Sequence, residues 1–288
     1  MNITINKFLN KVIFGKFKIL QIIGQGSNST VFSATNFNIN QIFACKIQKK
    51  IEKIGALEKE AYFLFQLKGI GIPKIISYGY WGAYNILIEE LLGKTLEELF
   101  KENKDKSNIM RLKDLAMTGI QLIDRIQFIH SKYILHLDIK PNNCLIGSSD
   151  KSLIYIIDFG MAKKYRSSRT GNHVKFSKKK FFKGNLKYSS INTMIGIEPS
   201  RRDDLESIGY MLIYLYNQQL PWDNLKYKNH YELAKKIYNS KYSTSIKMLC
   251  KDLPKEMSDY MLHVKSLKFE EEPNYKYLTN IFELMLKK

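Results

Sequence analysis

The prevailing spacing of the apolar residues of this chain changes near Gly93, and that change limits what the chain can fold into. Before it, from Phe17 to Ile47, "FKILQIIG", "STVFSAT" and "QIFACKIQ" are short runs of β-branched and aromatic residues between Gly- and Asn-rich turns. Such runs predict three antiparallel strands. Residues 53–67, "KIGALEKEAYFLFQL", switch to helical spacing with Leu57, Ala61, Leu64 and Phe65 on one face, and "KIISYGY" and "YNILIEELL" predict two further strands. After Gly93, "TLEELFKEN" and the long "IMRLKDLAMTGIQLIDRIQFIHSK" repeat at three and four, as do "RRDDLESIGYMLIYLYNQ" and the segments from Tyr231, Pro254 and Tyr275. "LIYIIDFG" reads as a short buried strand ending at an aspartate, and residues 161–192 are basic and irregular. The expected fold is α+β in two lobes. A small antiparallel-sheet lobe with one main helix spans about 14–90, a joint 91–93, and a larger, mostly helical lobe 94–288.

A chain of 288 residues that is 44% hydrophobic can bury a large core, so disorder is excluded. Lys+Arg 46 against Asp+Glu 27 gives +19, which attracts polyanions such as nucleotides, nucleic acid, acidic peptides or an anionic membrane face. Lysines scattered through Ile/Asn/Tyr-rich surroundings also fit a merely solvated surface. Cys45, Cys144 and Cys250 are widely spaced and odd in number, which indicates neither a disulfide framework nor a zinc site and points to a reducing compartment. No apolar run approaches the roughly 18 residues of a membrane span. The expectation is a soluble intracellular protein, cytoplasmic or nuclear.

The segment "YILHLDIKPNNCLI" sets Asp138, Lys140 and Asn143 on a turn that Pro141 keeps from becoming a helix, between extended apolar flanks. Rigidly held loops of this kind carry chemistry. In "IGQGSNSTVF", Gly24 and Gly26 lie in a turn between strands, where backbone N–H groups can approach a polyphosphate; a hairpin without ligand would use the same residues. Lys46, beyond Ala44 on a strand that ought to be buried, needs an anionic partner. Glu58 on the following helix can face the sheet, and a Lys–Glu pair of that kind aims the ammonium at nucleotide phosphates. A surface glutamate beside a strand-end lysine is the plain alternative. Asp158 in "IIDFG" ends an apolar strand, where a carboxylate can reach Mg²⁺, with Asn143 supplying a second oxygen. Asp138 is then the acceptor of a hydroxyl proton, and Lys140 stabilises charge on the phosphoryl group.

The order of these groups follows the general protein-kinase template. The chain also resembles the casein kinase I family of Ser/Thr protein kinases through "GIGIPKIISYGYWGAYNILIEELLGKTLEELF", "HLDIKPNNCLIG", "IIDFGMAKKYR", "KYSSINTMIGIEPSRRDDLESIGYMLIYL", "LPWDNLK" and "FEEEPNYKYL". "SIN" at 190–192 is the family's distinctive replacement for Ala-Pro-Glu. The resemblance implies a two-lobe kinase fold with ATP in its cleft. It implies a nucleotide set of Gly24, Gly26, Ala44, Lys46, Glu58, Leu91 and Leu92 on the hinge, and Glu98 near the ribose. It assigns catalysis to Asp138, Lys140 and Asn143 and Mg²⁺ to Asn143 and Asp158. It also sets Asp204 on a central helix bracing the catalytic loop, though an acid in a first helical turn is favoured by the helix dipole in any case. The implied partners are ATP and protein substrates, acidic or already phosphorylated. The implied enzyme is a monomer that needs no nucleic acid.

Four positions depart from the family pattern. Leu137 replaces the arginine before the catalytic aspartate, Ser29 the third loop glycine and Asn185 a threonine of the substrate loop, while Glu89 occupies the gatekeeper position, where a carboxylate is costly unless paired. Lys187 matches the family's basic substrate contact, and Lys178, Lys179, Lys180 and Lys183 add charge nearby. A pseudokinase or a basic scaffold for partners or nucleic acid is the competing class. It has no chemical need for Lys46, Glu58, Asp138, Asn143 and Asp158 together.

Overall fold

Alternation along one strand sorts the first part of the chain into two faces. The computed structural model describes residues 7–26, 29–51, 54–167, 169–178 and 184–287. In it, β1 (Val12–Ile13), β2 (Phe17–Gln25), β3 (Thr30–Asn36), β4 (Gln41–Lys49), β5 (Ile75–Trp81) and β6 (Tyr84–Glu90) form one sheet in the order β1-β2-β3-β4-β6-β5, antiparallel at every pairing. The five strands expected from the sequence are present; β1 is too short to carry a periodic signal. Phe43, Cys45 and Ile47 of β4 join Phe17, Phe32 and Ile86 in the apolar core on one face. Ala44, Lys46 and Gln48 therefore fall on the other. There α1 (Ala56–Gln66) begins, with the Leu57 N–H donating to Gln48 Oε1 at 3.1 Å.

Helix α1 buries Leu57, Glu60, Ala61, Phe63 and Leu64. Phe65, expected on that stripe, is instead 54% exposed. At about 100° per residue it lies on the side of Leu57 opposite to Glu60 and Phe63, so the stripe turns away from it.

The chain divides into two compact units, Met1–Gly93 with Ile146–Ala162, and Lys94–Leu145 with Lys163–Lys288. Segment 146–162, expected in the larger lobe, groups with the first unit. The Ile156 N–H donates to the Gly71 carbonyl at 2.9 Å, and a Cβ on Gly160 would stand 3.0 Å from that of Ala56 in α1.

The second unit is mostly helical, with α2 (Leu96–Glu102), α3 (Asn108–Ser131), α4 (Ile191–Met194), α5 (Arg201–Asn217), α6 (His230–Ser243), α7 (Ile246–Leu249), α8 (Lys255–Ser266) and α9 (Tyr275–Leu286). Helix α5 is buried on all sides from Asp203 to Tyr216, the condition of a central helix, and packs against α3 and α8. Gly209 permits the second contact, since a Cβ there would collide with Met261 Sδ of α8. Among the described residues, no helix is long and apolar enough to cross a membrane.

Candidate active site

In the second unit the loop 136–143 is shaped by one buried carboxylate. Asp204, in the first turn of α5, accepts the His136 N–H on Oδ2 and the Leu137 N–H on Oδ1, both at 2.8 Å, and His130 Nε2 lies 3.0 Å from Oδ2. Leu137 sits at φ +67°, a left-handed conformation costly for a branched side chain, and the two bonds to Asp204 offset that strain. Burial alone would raise the Asp204 pKa; the bond and charge of His130, the His136 ring and the Leu137 N–H outweigh it and hold the carboxyl below its ordinary value. Burial lowers the His130 pKa, with Asp204 opposing, and its Nδ1 lies 2.7 Å from the Tyr275 hydroxyl of α9.

On that frame Asp138, Lys140 and Asn143 converge. Lys140 Nζ donates to Asp138 Oδ2 at 2.6 Å, and the Asn143 amide nitrogen donates to the Asp138 carbonyl at 2.8 Å and to Oδ2 at 3.0 Å. Pro141 opens a single 3₁₀ turn over Pro141–Asn143 that brings Asn143 back to Asp138. The amide nitrogen is thus committed to Asp138, which leaves its carbonyl oxygen as the acceptor a cation would use.

The first unit holds the second group of residues. Lys46 Nζ donates to Glu60 at 2.6 Å and pairs with Glu89 at 2.8 Å, all three side chains being buried. The expected partner, Glu58, is not the one used: it stands about 200° around α1 from Glu60 and is only half-buried. Glu60 shares the buried stripe of Leu57, Ala61 and Leu64, a signal present in the sequence. Glu89 is explained by sheet register. Lys46 stands opposite Leu87 and Ala44 opposite Glu89, so Lys46 and Glu89 are diagonal neighbours on one face. Glu89 Oε2 has no partner among the described residues.

Burial would lower the Lys46 pKa, but Glu60, Glu89 and Asp158 together raise it above the usual lysine value, and burial raises that of Glu60. One ammonium thus faces three carboxyl groups, of which burial favours the neutral form of Glu60. Among the described residues, no group of three or more His, Cys, Asp or Glu could hold a metal by itself. Mg²⁺ takes one or two carboxylates together with phosphate oxygens, and Asp158 is a carboxylate of that kind. Asp158 follows the strand Ile154–Ile156 at φ +66°, with Oδ1 accepting the Gly160 N–H at 3.3 Å.

Gly24 lies in β2 opposite Val31, and the Gly26 N–H donates to the Ser29 carbonyl at 2.8 Å, closing the turn whose tip, 27–28, lies outside the described residues. Leu91 and Leu92 are half-buried in the irregular segment after β6. Glu98, assigned to the ribose, caps its own helix: Oε2 accepts the Thr95 N–H at 2.8 Å and the Thr95 hydroxyl at 2.9 Å, which lowers its pKa. Lys179, Lys180 and Lys183 lie outside the described residues.

Residues 17–274 match the protein kinase domain model. The chain belongs to the protein kinase family. The chain is 40% identical to casein kinase I homolog 2 of Schizosaccharomyces pombe over 275 residues, 94% of this chain. It spans 62% of that relative's length. In this kinase fold the sequence reading missed Glu60, His130 and the buried Lys241 of α6. Only the first carried a legible periodic signal.

Proposed function

We propose that this chain transfers the γ-phosphoryl group of Mg·ATP to serine and threonine hydroxyls of proteins, as a casein kinase I-type enzyme. The observation that carries the reading is the cluster of Asp138, Lys140 and Asn143 held by Asp204. The substrate hydroxyl oxygen attacks the γ-phosphorus, its proton passes to Asp138, and ADP leaves. Lys140, 2.6 Å from Asp138, keeps positive charge where the phosphoryl oxygens gain negative charge. Lys46, aimed by Glu60 and Glu89, binds the α- and β-phosphates; Asp158 and the Asn143 carbonyl would hold Mg²⁺. Bound there, Mg²⁺ supplies neutralising charge to the phosphate oxygens.

Acidic or already phosphorylated sites are the substrates favoured by this reading, on the strength of Lys187 and the net charge of +19. Lys187 already pairs with Asp223 at 2.9 Å and lies 3.7 Å from the centre of the Tyr214 ring. A substrate anion therefore competes with Asp223 for it.

The test is phosphate transfer from Mg·ATP to acidic, pre-phosphorylated and basic peptides, beside Asp138→Asn and a thermal-shift titration with Mg·ATP. Expected are transfer by the wild type, a loss of roughly 10²-fold or more in Asp138→Asn, and a nucleotide-induced stabilisation retained in both. Ligand at 100 times its Kd adds about 2.7 kcal/mol. Neither shift nor transfer would make the chain a basic scaffold.

A further inference from the structure

Helix α6 carries a lysine that nothing in the phosphotransfer scheme uses. Lys241 is 2% exposed, yet it forms no ion pair among the described residues; its ammonium donates to the carbonyls of Leu186 at 2.9 Å and Ser189 at 2.6 Å. It lies 4.7 Å from the centre of the Tyr210 ring and 4.9 Å from that of Trp222. Trp222 Nε1 in turn donates to the carbonyl of Lys187 at 2.8 Å. Three carbonyls of the short stretch 186–189 are thus tied down from beneath by one cation and one indole. Two residues past the stretch an acid takes over: Glu206 of α5 accepts the Ile191 N–H at 3.3 Å and the Tyr210 hydroxyl at 2.7 Å.

Desolvating an ammonium costs several kcal/mol when no carboxylate answers it, so the core alone gives no reason for a lysine here. What the charge does achieve is local. It fixes the peptide planes of 186–189 while leaving the outer side of that stretch open, where Leu186 and Met194 line a groove of about 210 Å³ with Tyr231, Ala234, Lys235 and Tyr238. The stretch follows Asn185, the substrate-loop position in the kinase resemblance.

We propose that Lys241 is a positioning residue for the protein substrate: through the Leu186 and Ser189 carbonyls it holds the substrate loop in the form that receives the polypeptide around the target hydroxyl. This rests on the kinase reading and adds a group outside its catalytic set. Burial pushes the Lys241 pKa down to about 7, with Lys265 of α8 acting the same way and Glu206 opposing. The ionisable side chain it touches is Tyr210, raised well above its ordinary value by burial. As pH rises through that value the ammonium loses its charge and its hold on the carbonyls weakens.

The experiment measures kcat and KM for a peptide with one serine and no ionisable side chain, and KM for ATP, from pH 6 to 8.5, in the wild type and in Lys241→Met. Expected in the wild type is a peptide KM that rises across this range. In Lys241→Met the peptide KM is high and flat, about tenfold above the wild-type value at pH 6, equivalent to roughly 1.4 kcal/mol, with kcat and ATP KM within about twofold. Transfer by the wild type with a peptide KM that does not move with pH, or a variant that lowers kcat at unchanged peptide KM, overturns the inference alone. Should Lys241→Met fail to fold, the wild-type pH profile decides. No transfer by the wild type to any peptide overturns the kinase reading and this inference with it.

Discussion

Lys46 has two buried carboxylates bonded to it, so the consequences of removing each are unequal. Glu60→Gln keeps a carbonyl acceptor but removes the charge at the shorter contact, leaving Glu89 as the remaining charged partner; Glu58→Gln removes a charge that Lys46 is not paired with. The expected outcome is a Glu60→Gln enzyme whose stabilisation by Mg·ATP and rate of transfer both fall, the latter by about tenfold or more (~1.4 kcal/mol), beside a Glu58→Gln enzyme like the wild type. Parallel thermal-shift and initial-rate measurements check it; a defect confined to Glu58→Gln would restore the original pairing. The aspartates were legible because their spacing is rigid: five residues link Asp138 to Asn143 through a single turn. The lysine's partner was not, because two glutamates stand on one helix and only the buried stripe distinguishes them. Glu89 was legible as an oddity and not as a pair, since sheet register is a property of two strands.

At the scale of elements, the helix that organises the loop is α5. Its first turn carries Asp203 and Asp204, favoured there by the helix dipole, and Asp204 serves both its own helix and the backbone of 136–137. Asp204→Asn keeps a carbonyl acceptor but loses the charge and one oxygen. The loss should be about 1–3 kcal/mol of stability, the cost of a buried N–H left unpaired, with impaired transfer because Asp138 follows directly on the loosened residues. The sign with pH is fixed by the lowered pKa of Asp204. The wild-type advantage is full above the unfolded value near 3.8 and is lost as pH falls through the lower folded value. Denaturant midpoints of both proteins at pH 7 and at acid pH check it; a difference independent of pH would mean the charge is not what matters. Long elements such as α3 and α5 were legible because many turns average their pattern. The two-residue β1 and four-residue α4 and α7 were not, because one turn or one pair of residues has no period.

Taken over the whole chain, an excess of +19 favours anions in general without selecting among them, because exposed charges are screened over about 8–10 Å at ordinary salt. Selection needs a cation at a fixed place, and Lys187 qualifies: it is packed on Tyr214, in a stretch whose own carbonyl is held by Trp222. On the proposed substrate preference, Asp223 is the group a substrate anion has to displace from it. Both side chains of the 2.9 Å pair are partly exposed, so the pair is worth at most about 1 kcal/mol, and releasing Lys187 can gain no more than that. Asp223→Asn should keep the cap that Asp223 Oδ2 gives the Leu220 N–H at 3.0 Å, since the amide retains an acceptor. The expected result is a rise of about two- to fivefold in kcat/KM for acidic or phosphorylated peptides, the equivalent of ~0.4–1 kcal/mol, with a neutral peptide unaffected. Raising the salt should shrink the gain, because the released charge is exposed where the paired one was neutralised. Initial rates at low and high salt with matched acidic and neutral peptides check both parts. Equal gains for both peptides would mean that Asp223 shapes the loop and does not compete for Lys187, and no gain for either would remove Lys187 from the substrate's path.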